Sequence, residues 1–525
     1  MRAKEVILEF FRRKGTGCIF YLPGIHALPI SEMLDRMSVR AVLGRHEAHL
    51  AYMAVGYAKT SGRVGVVVVT PGPGLGNVVS ACMEAHGDQV PLLLIHIDTD
   101  RRDIGKGILH ELPDPEAIFT RFTKRASVVE RAELLVPDLE VAYEACCSGR
   151  PGPVVISIPH TMLEKEVPFA VTDSATQVVP PPDLAGLSGA LKGRQRPAII
   201  GGGALMQEGL RLPLETLCRE ASIPFLTTAA GKGILREDGE ETFGCVMRKG
   251  VVRHILESAD VVIALGTRLR EMDARRRGVK LGDLIHIDVD REWLGKNYPT
   301  MLGIAGNLGT AVQGLSELLR TKQSAWDLSE LKDRQRREEA ELERKSDGLA
   351  IVRLLRTIIP EETLTVWDLN LISYWAEYYF PVLHQRTFIE PRGSSSIFYG
   401  VPASIGAKLG APDRPCLCVV GDGGALPTLA ELATANQYHI PVTFLVHNNN
   451  SYGVLDEYMR KRYRLEHRMD LVNPDFVKLA HAFDVKAGRA DHIDALRNIF
   501  LHEVPWDEPF LIDFRYPVFP PPWKI

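Results

Sequence analysis

Residues Pro415–Gly453 constrain the fold of this chain more than any other stretch. They read PCLCVVGDGG, then ALPTLAELATANQYHI, then PVTFLVHNNNSYG. The apolar run Cys416–Val420 ends in Gly421-Asp422-Gly423-Gly424; a helical pattern follows, and a second apolar run, Val442–Val446, ends in Asn448-Asn449-Asn450. This predicts a strand–helix–strand unit with polar groups at the carboxyl ends of both strands, the edge at which open α/β sheets bind ligands. Glycines at such a turn let backbone approach a phosphate closely. Asp422 and the asparagines offer hard oxygen ligands, which suit magnesium better than zinc. A glycine-rich turn alone also occurs in ordinary Rossmann-like units; the asparagine pair closing the next strand sets this one apart.

At 525 residues the chain exceeds a single core and calls for two to four domains. A net charge of -4 offers no basic face for nucleic acid or an anionic membrane surface. No apolar run approaches the ~20 residues of a membrane span. The opening MRAKEVILEFFRRKG alternates charged and apolar residues like an amphipathic helix and shows no signal peptide. The eight cysteines have no metal-ligand spacing, and Cys416 and Cys418 read as small core residues of a strand. A reducing, cytoplasmic setting fits.

In chain order, residues 1–168 alternate helix and strand: CIFYLPG, VRAVLG, VGVVVVT, DQVPLLLIHID and GPVVISIP are the apolar runs. VGVVVVT is β-branched almost throughout, as a parallel strand buried on both faces should be. The stretch Val179-Pro180-Pro181-Pro182-Asp183 reads as a linker. A second α/β unit, 184–320, holds PAIIGGGAL, SIPFLTT, DVVIALGTR and LIHIDVD. The charged run from Ser324 to Asp347 reads as an exposed connecting helix. A third unit, 348–525, carries the Pro415–Gly453 stretch and ends with FLIDFR and a proline-rich tail. The expected fold class is α/β, with three doubly wound parallel sheets.

GDG, then 24 residues, then NN, together with RHE followed by GYA, TPGPGLGN, GDQVPLL, GPVVISIP, HIDVD and GVPASIGAKLG in this order, resembles the thiamine-diphosphate enzymes. The resemblance spans the chain and is closest to the group of acetolactate synthase and benzoylformate decarboxylase. It implies a pyrimidine-binding, a central and a diphosphate-binding domain. It also implies a homodimer or homotetramer with active sites shared between subunits, thiamine diphosphate and Mg2+ as cofactors, and 2-oxo acids as substrates.

Under that resemblance, Glu47 is the carboxyl group that bonds the cofactor's aminopyrimidine and promotes loss of its reactive proton; otherwise it is a first-turn glutamate favoured by the helix dipole. Pro23, Gly24, Gly74 and Asn77 shape the pyrimidine pocket, or form simple strand–helix turns. Asp422 and Asn449 give side-chain oxygens, and Ser451 a backbone oxygen, to magnesium. Gly421, Gly423 and Gly424 face the diphosphate, with Tyr452 and Gly453 closing the loop and Asn370 as a further contact. Ser395 and Ile397, in PRGSSSIFYGVPA, fall where the family bends its cofactor; Ile397 is otherwise a core side chain.

The expected reaction is non-oxidative decarboxylation of a 2-oxo acid, in the manner of benzoylformate decarboxylase, with carboligation as a side activity. The alternatives are an acetolactate-synthase-like carboligase and, remotely, a non-catalytic scaffold. Several positions depart from each pattern. Benzoylformate decarboxylases carry serine and histidine where this chain has Ile25 and Thr70. Acetolactate synthases carry Phe-Gln-Glu where Leu109-His110-Glu111 stands, and tryptophan at Tyr458. TRLREMDARRRG departs from the flavin-associated pattern, so FAD is not expected. His26 and His110 are the candidates for proton transfer near neutral pH, with His26 alternatively a surface residue. His46 and His49 are expected to be structural. Tyr452, Leu455 and Tyr458 line the substrate side or simply pack.

Overall fold

Among the described residues, eighteen strands form three six-stranded sheets. The computed structural model describes residues 1–34, 39–169, 179–206, 209–274, 278–320, 322–465 and 468–523. The first sheet holds β1 (Cys18–Tyr21), β2 (Arg40–Leu43), β3 (Gly65–Val69), β4 (Leu92–Asp98), β5 (Arg125–Val128) and β6 (Pro153–Pro159), ordered β2-β1-β3-β4-β6-β5 and parallel. The second holds β7 (Pro197–Gly201), β8 (Phe225–Thr227), β9 (Thr242–Cys245), β10 (Val261–Leu265), β11 (Leu284–Asp288) and β12 (Leu302–Ala305), ordered β12-β11-β10-β7-β8-β9. The third holds β13 (Leu364–Trp367), β14 (Phe388–Ile389), β15 (Cys416–Gly421), β16 (Thr443–Asn448), β17 (Lys486–Ala490) and β18 (Phe510–Arg515), ordered β14-β13-β15-β16-β18-β17.

Each order reverses direction beside the sheet's first strand. In the first sheet the reversal lies between β1 and β3, in the third between β13 and β15. At such a point two strands send their connections to opposite faces and leave a crevice at their carboxyl ends. The central strands β3, β4 and β6 are buried at every residue, which accounts for their uninterrupted apolar sequence. Cys416 and Cys418 are buried within β15.

Two compact units divide the chain. One comprises Met1–Gln177, Thr363–Asn370 and Ile389–Pro517, and so contains the first sheet and the described core of the third. Within it the helix Glu47–Ser61 lies against the helix Gly400–Gly410 at glycine contacts: a side chain on Gly56 would strike the carbonyl of Ala403, and one on Gly406 the carbonyl of Met53. This explains why Leu50–Ala58 is buried without a solvent face. The other unit comprises Val178–Glu362, Leu371–Phe388 and Val518–Ile525 and contains the second sheet.

Two expectations change. The charged run before Asp347 forms a helix, Leu328–Glu343, but Leu331, Lys332 and Gln335 are buried on one face. Lys332 donates to the carbonyl of Thr242, and burial pushes its pKa down to about 8. The segment after Asp422 is a broken helix, Asp422–Ala425, a tight 3₁₀ stretch Leu426–Glu431, then Leu432–Gln437. Pro427 lacks the N–H an uninterrupted α-helix needs there. Arg275–Arg277 of the flavin-related segment lie outside the described residues.

Candidate active site

The reversal point of the first sheet gathers several of the sequence candidates. Pro23, Gly24, Ile25 and His26 follow β1, and Thr70 and the Pro73–Asn77 helix follow β3. A methyl group on Gly24 would overlap Thr70 Cγ2, and one on Gly74 would meet Thr70 Oγ1 and approach Glu47 Oε1. Glycine is therefore required at both positions by close approach. Glu47 opens the Glu47–Ser61 helix, is 9% exposed, and accepts a 2.9 Å hydrogen bond at Oε2 from Asn77 Nδ2. His46 caps that helix, its Nδ1 accepting from Ala48 N–H. His49 Nδ1 lies 2.9 Å from Glu431 Oε1, which also accepts from Arg45 N–H at 3.0 Å. His46 and His49 are both engaged in these contacts, and Glu431 ties this segment to the helical run after Asp422.

The loop after β4 returns over this edge. The Glu111 carboxylate accepts N–H bonds from Gly105, Gly107 and Ile108, which holds its pKa below the usual carboxylate range. The loop so ordered presents His110 at φ 62°, with its carbonyl against Gly72. The His110 and His26 rings are 5.7 Å apart. Ile25 and Leu109 are largely solvent-exposed beside them.

The reversal point of the third sheet gathers the second set. Asp422, the first residue after β15, is 2% exposed. Its Oδ1 accepts from Gly423 N–H at 2.9 Å and its Oδ2 from Asn473 Nδ2 at 2.7 Å. Burial raises its pKa against those bonds. Asn473 also reaches Asn448 Oδ1 and Asn450 Oδ1, both at 3.3 Å. Asn449 Oδ1 accepts from Ser451 N–H at 3.1 Å. The Tyr452 ring covers Gly423 so closely that a side chain there would overlap it, and Gly453 begins a short helix to Tyr458 on which Leu455 is exposed. Asn370 Nδ2 donates to the carbonyl of Val419, and its Cβ faces Gly421.

A buried carboxylate whose partners are neutral amides is an uncompensated charge. Asp422 is such a group, and with the oxygens of Asn449 and Ser451 it could hold a magnesium ion through oxygen alone. Among the described residues no group of three or more His, Cys, Asp or Glu side chains is arranged as a metal site. Gly423 and Gly424 lie at the start of the helical run; the Gly423 N–H bonds Asp422 Oδ1, and the Gly424 N–H could receive a phosphate.

Ser395 and Ile397 stand in a loop gripped from the first sheet's side. The buried Glu84 accepts from Gly393 N–H, Ser394 N–H (3.0 Å), Ser394 Oγ (3.1 Å) and Ser396 N–H (3.2 Å). Ser395 and Phe398 both adopt positive φ, 57° and 72°. The next turn is held by Asp368, whose carboxyl accepts from Leu369 and Gly400 N–H, while burial pushes its pKa up to about 6. Glu84, Glu431 and Asn473 were not singled out by the sequence reading, because each acts on a segment remote in the chain and carries no local motif.

Three family models match the chain: the N-terminal TPP binding domain of thiamine pyrophosphate enzymes over residues 1–118, the central domain over 184–315, and the C-terminal TPP binding domain over 371–514. A probable 2-ketoarginine decarboxylase (AruI) of Pseudomonas aeruginosa is 32% identical over 510 residues, covering 94% of this chain and 90% of that protein. The acetolactate synthase large subunit of Lactococcus lactis is 29% identical over 531 residues, 97% of this chain and 91% of that protein. A probable acetolactate synthase large subunit of Methanocaldococcus jannaschii is 28% identical over 552 residues, 98% and 91% respectively. With TPP-binding domains matched at both ends and a relative similar along nearly its whole length, the chain belongs to the thiamine pyrophosphate enzymes.

Proposed function

We propose that this protein is a Mg2+- and thiamine-diphosphate-dependent decarboxylase of 2-oxo acids. The observation that carries the reading is the pairing of Asn77 with a nearly buried Glu47 at one sheet reversal, together with the uncompensated Asp422 at another. The chemistry thiamine diphosphate supplies when bound is a carbon nucleophile for the substrate carbonyl and a sink for the electron pair left by departing carbon dioxide. Glu47 offers its carboxyl to the pyrimidine ring, with Asn77 holding the other oxygen. Asp422, Asn449 and Ser451 hold the metal, and Gly423 and Gly424 receive the diphosphate. Ile397 supports the ring from its clamped loop. His26 and His110 exchange protons with substrate and product, and Ile25, Thr70, Tyr452, Leu455 and Tyr458 shape the cleft.

The domain limits that go with this reading are 1–168, 184–320 and 348–525. The two half-sites meet across subunits, so that Glu47 of one protomer serves the Asp422 of its partner. The relative named for 2-ketoarginine makes 5-guanidino-2-oxopentanoate the first substrate to try, with pyruvate, 2-oxobutanoate and benzoylformate beside it. The second reading, a carboligase, is favoured by the several relatives named acetolactate synthase. Incubating the enzyme with thiamine diphosphate, Mg2+ and each acid separates the two. Carbon dioxide with an aldehyde supports the first reading and an acetohydroxy acid the second; no carbon dioxide from any acid rejects both.

A further inference from the structure

A third imidazole stands beside the two proton-transfer candidates. His160 is the first residue after β6, and its Nδ1 lies 3.2 Å from the backbone oxygen of Asp98, the last residue of the adjacent β4. Asp98 and Pro159 are register partners, so the sheet itself fixes this contact. A carbonyl can only accept, so Nδ1 of His160 carries the hydrogen and Nε2 is the nitrogen left for other contacts. The His160 ring meets the His26 ring edge-on, with centroids 5.0 Å apart and planes at 78°. His26 in turn lies 5.7 Å from His110. The Nδ1 atoms of His26 and His110 are both buried without a hydrogen-bond partner among the described residues.

Charge on either neighbouring ring disfavours charge on His26. Burial lowers the proton affinity of His26, and the neighbouring His160 and His110 lower it further. Behind His160 stands the Asp98 carboxyl, itself raised by burial, with Arg101 and Glu116 next to it. The Asp98 carboxyl interacts electrostatically with both Arg101 and His160. The ring in contact with both its anchor on β4 and His26 is therefore the one placed to govern His26.

We propose that His160, anchored on Asp98, is a positioning residue that holds the His26 ring in place and keeps it neutral for proton exchange with a 2-oxo acid. The inference rests on the role given to His26 above. Its test uses the apoenzyme and diethyl pyrocarbonate, which modifies a histidine only when its imidazole is unprotonated. The rate of modification at His26 is read by peptide mass spectrometry across about pH 5 to 8. His160→Asn keeps a donor for the Asp98 carbonyl but removes the imidazole; His160→Phe keeps the ring's shape. In both, the midpoint for His26 rises by about half to one pH unit. The acid limb of the decarboxylation pH profile moves the same way. A packing role alone would lower activity at every pH and leave the midpoint where it was. An unchanged or lowered midpoint in His160→Asn overturns the proposal, whatever His160→Phe does. Because this readout needs no turnover, a moved midpoint in a protein that decarboxylates no 2-oxo acid would reject the proposed function and leave the placement of His160 standing.

Discussion

Asn77 Nδ2 donates to Oε2 of Glu47 across 2.9 Å, joining the helix after β3 to the helix after β2. The bond leaves Oε1 as the oxygen free to meet a ligand. Glu47→Gln is expected to lower kcat about 10²- to 10⁴-fold, the range for loss of a proton-transfer group. Asn77→Ala should cost less, about tenfold, because the carboxylate persists with one restraint fewer. Steady-state rates measured with saturating cofactor check both, and equal losses would contradict the order.

If Glu47 and Asp422 act in different subunits, two dead enzymes can repair each other. Co-expressed Glu47→Gln and Asp422→Ala chains should regain about a quarter of wild-type activity, since half of randomly formed two-fold dimers are mixed and each carries one intact site. Recovery near zero in purified mixed dimers would place both residues in one chain.

Gly24 and Thr70 define a steric test of the same cleft. Gly24→Ala pushes a methyl group into Thr70 Cγ2. Thr70→Ser removes that methyl, so the double variant should recover most of the cofactor affinity that the single variant loses. Titration calorimetry with thiamine diphosphate would read the cycle, and an unrelieved loss in the double variant would exclude this contact as the cause.

Glu84 is buried with four donors on its carboxylate. Glu84→Ala strands those donors and is expected to destabilise the protein by about 2–4 kcal/mol. Thermal unfolding tests this, and a stability change below ~1 kcal/mol would argue against the clamp.

His96 lies in β4, fully buried, with Nδ1 2.9 Å from Ser157 Oγ, and burial pushes its pKa down to about 3. In the unfolded chain a histidine titrates near 6.5. Between these values the unfolded state binds the extra proton, so this contribution to stability is complete above about pH 6.5 and falls as pH drops toward 3. At pH 5 the loss is of order 2 kcal/mol. His96→Phe should flatten the fall in Tm between pH 7 and 5; parallel curves for the two proteins would contradict the assignment.

Most strands buried on both faces were legible because burial there demands apolar residues without a break, although the short β13 (LTVW), buried at every residue, was not read. The edge strands β5, β9, β12, β14 and β17 were not, and β5 and β17, with exposed Arg125, Lys486 and Arg489, show why: a strand covered on fewer sides keeps charged residues. The site divides in the same way. Asp422 and Glu47 stand in motifs whose spacing is local. Glu84, Glu431, Asn473 and His160 gain their partners only when distant segments meet, as Glu84 meets Gly393 across 309 positions of sequence. The buried face of Leu328–Glu343 escaped because Lys332 hides a long apolar stem behind its charge.

The glycine seam between Glu47–Ser61 and Gly400–Gly410 also has a consequence for biosynthesis. A ribosome delivers the first helix some 340 residues before its cover exists. Until then Leu50–Ala58 shows its apolar outer side to the surroundings, so the amino-terminal third must wait, exposed and aggregation-prone, for the last third of the chain. An amino-terminal fragment ending near Gln177 is expected to be insoluble when made alone and to be rescued by co-expression of the remainder.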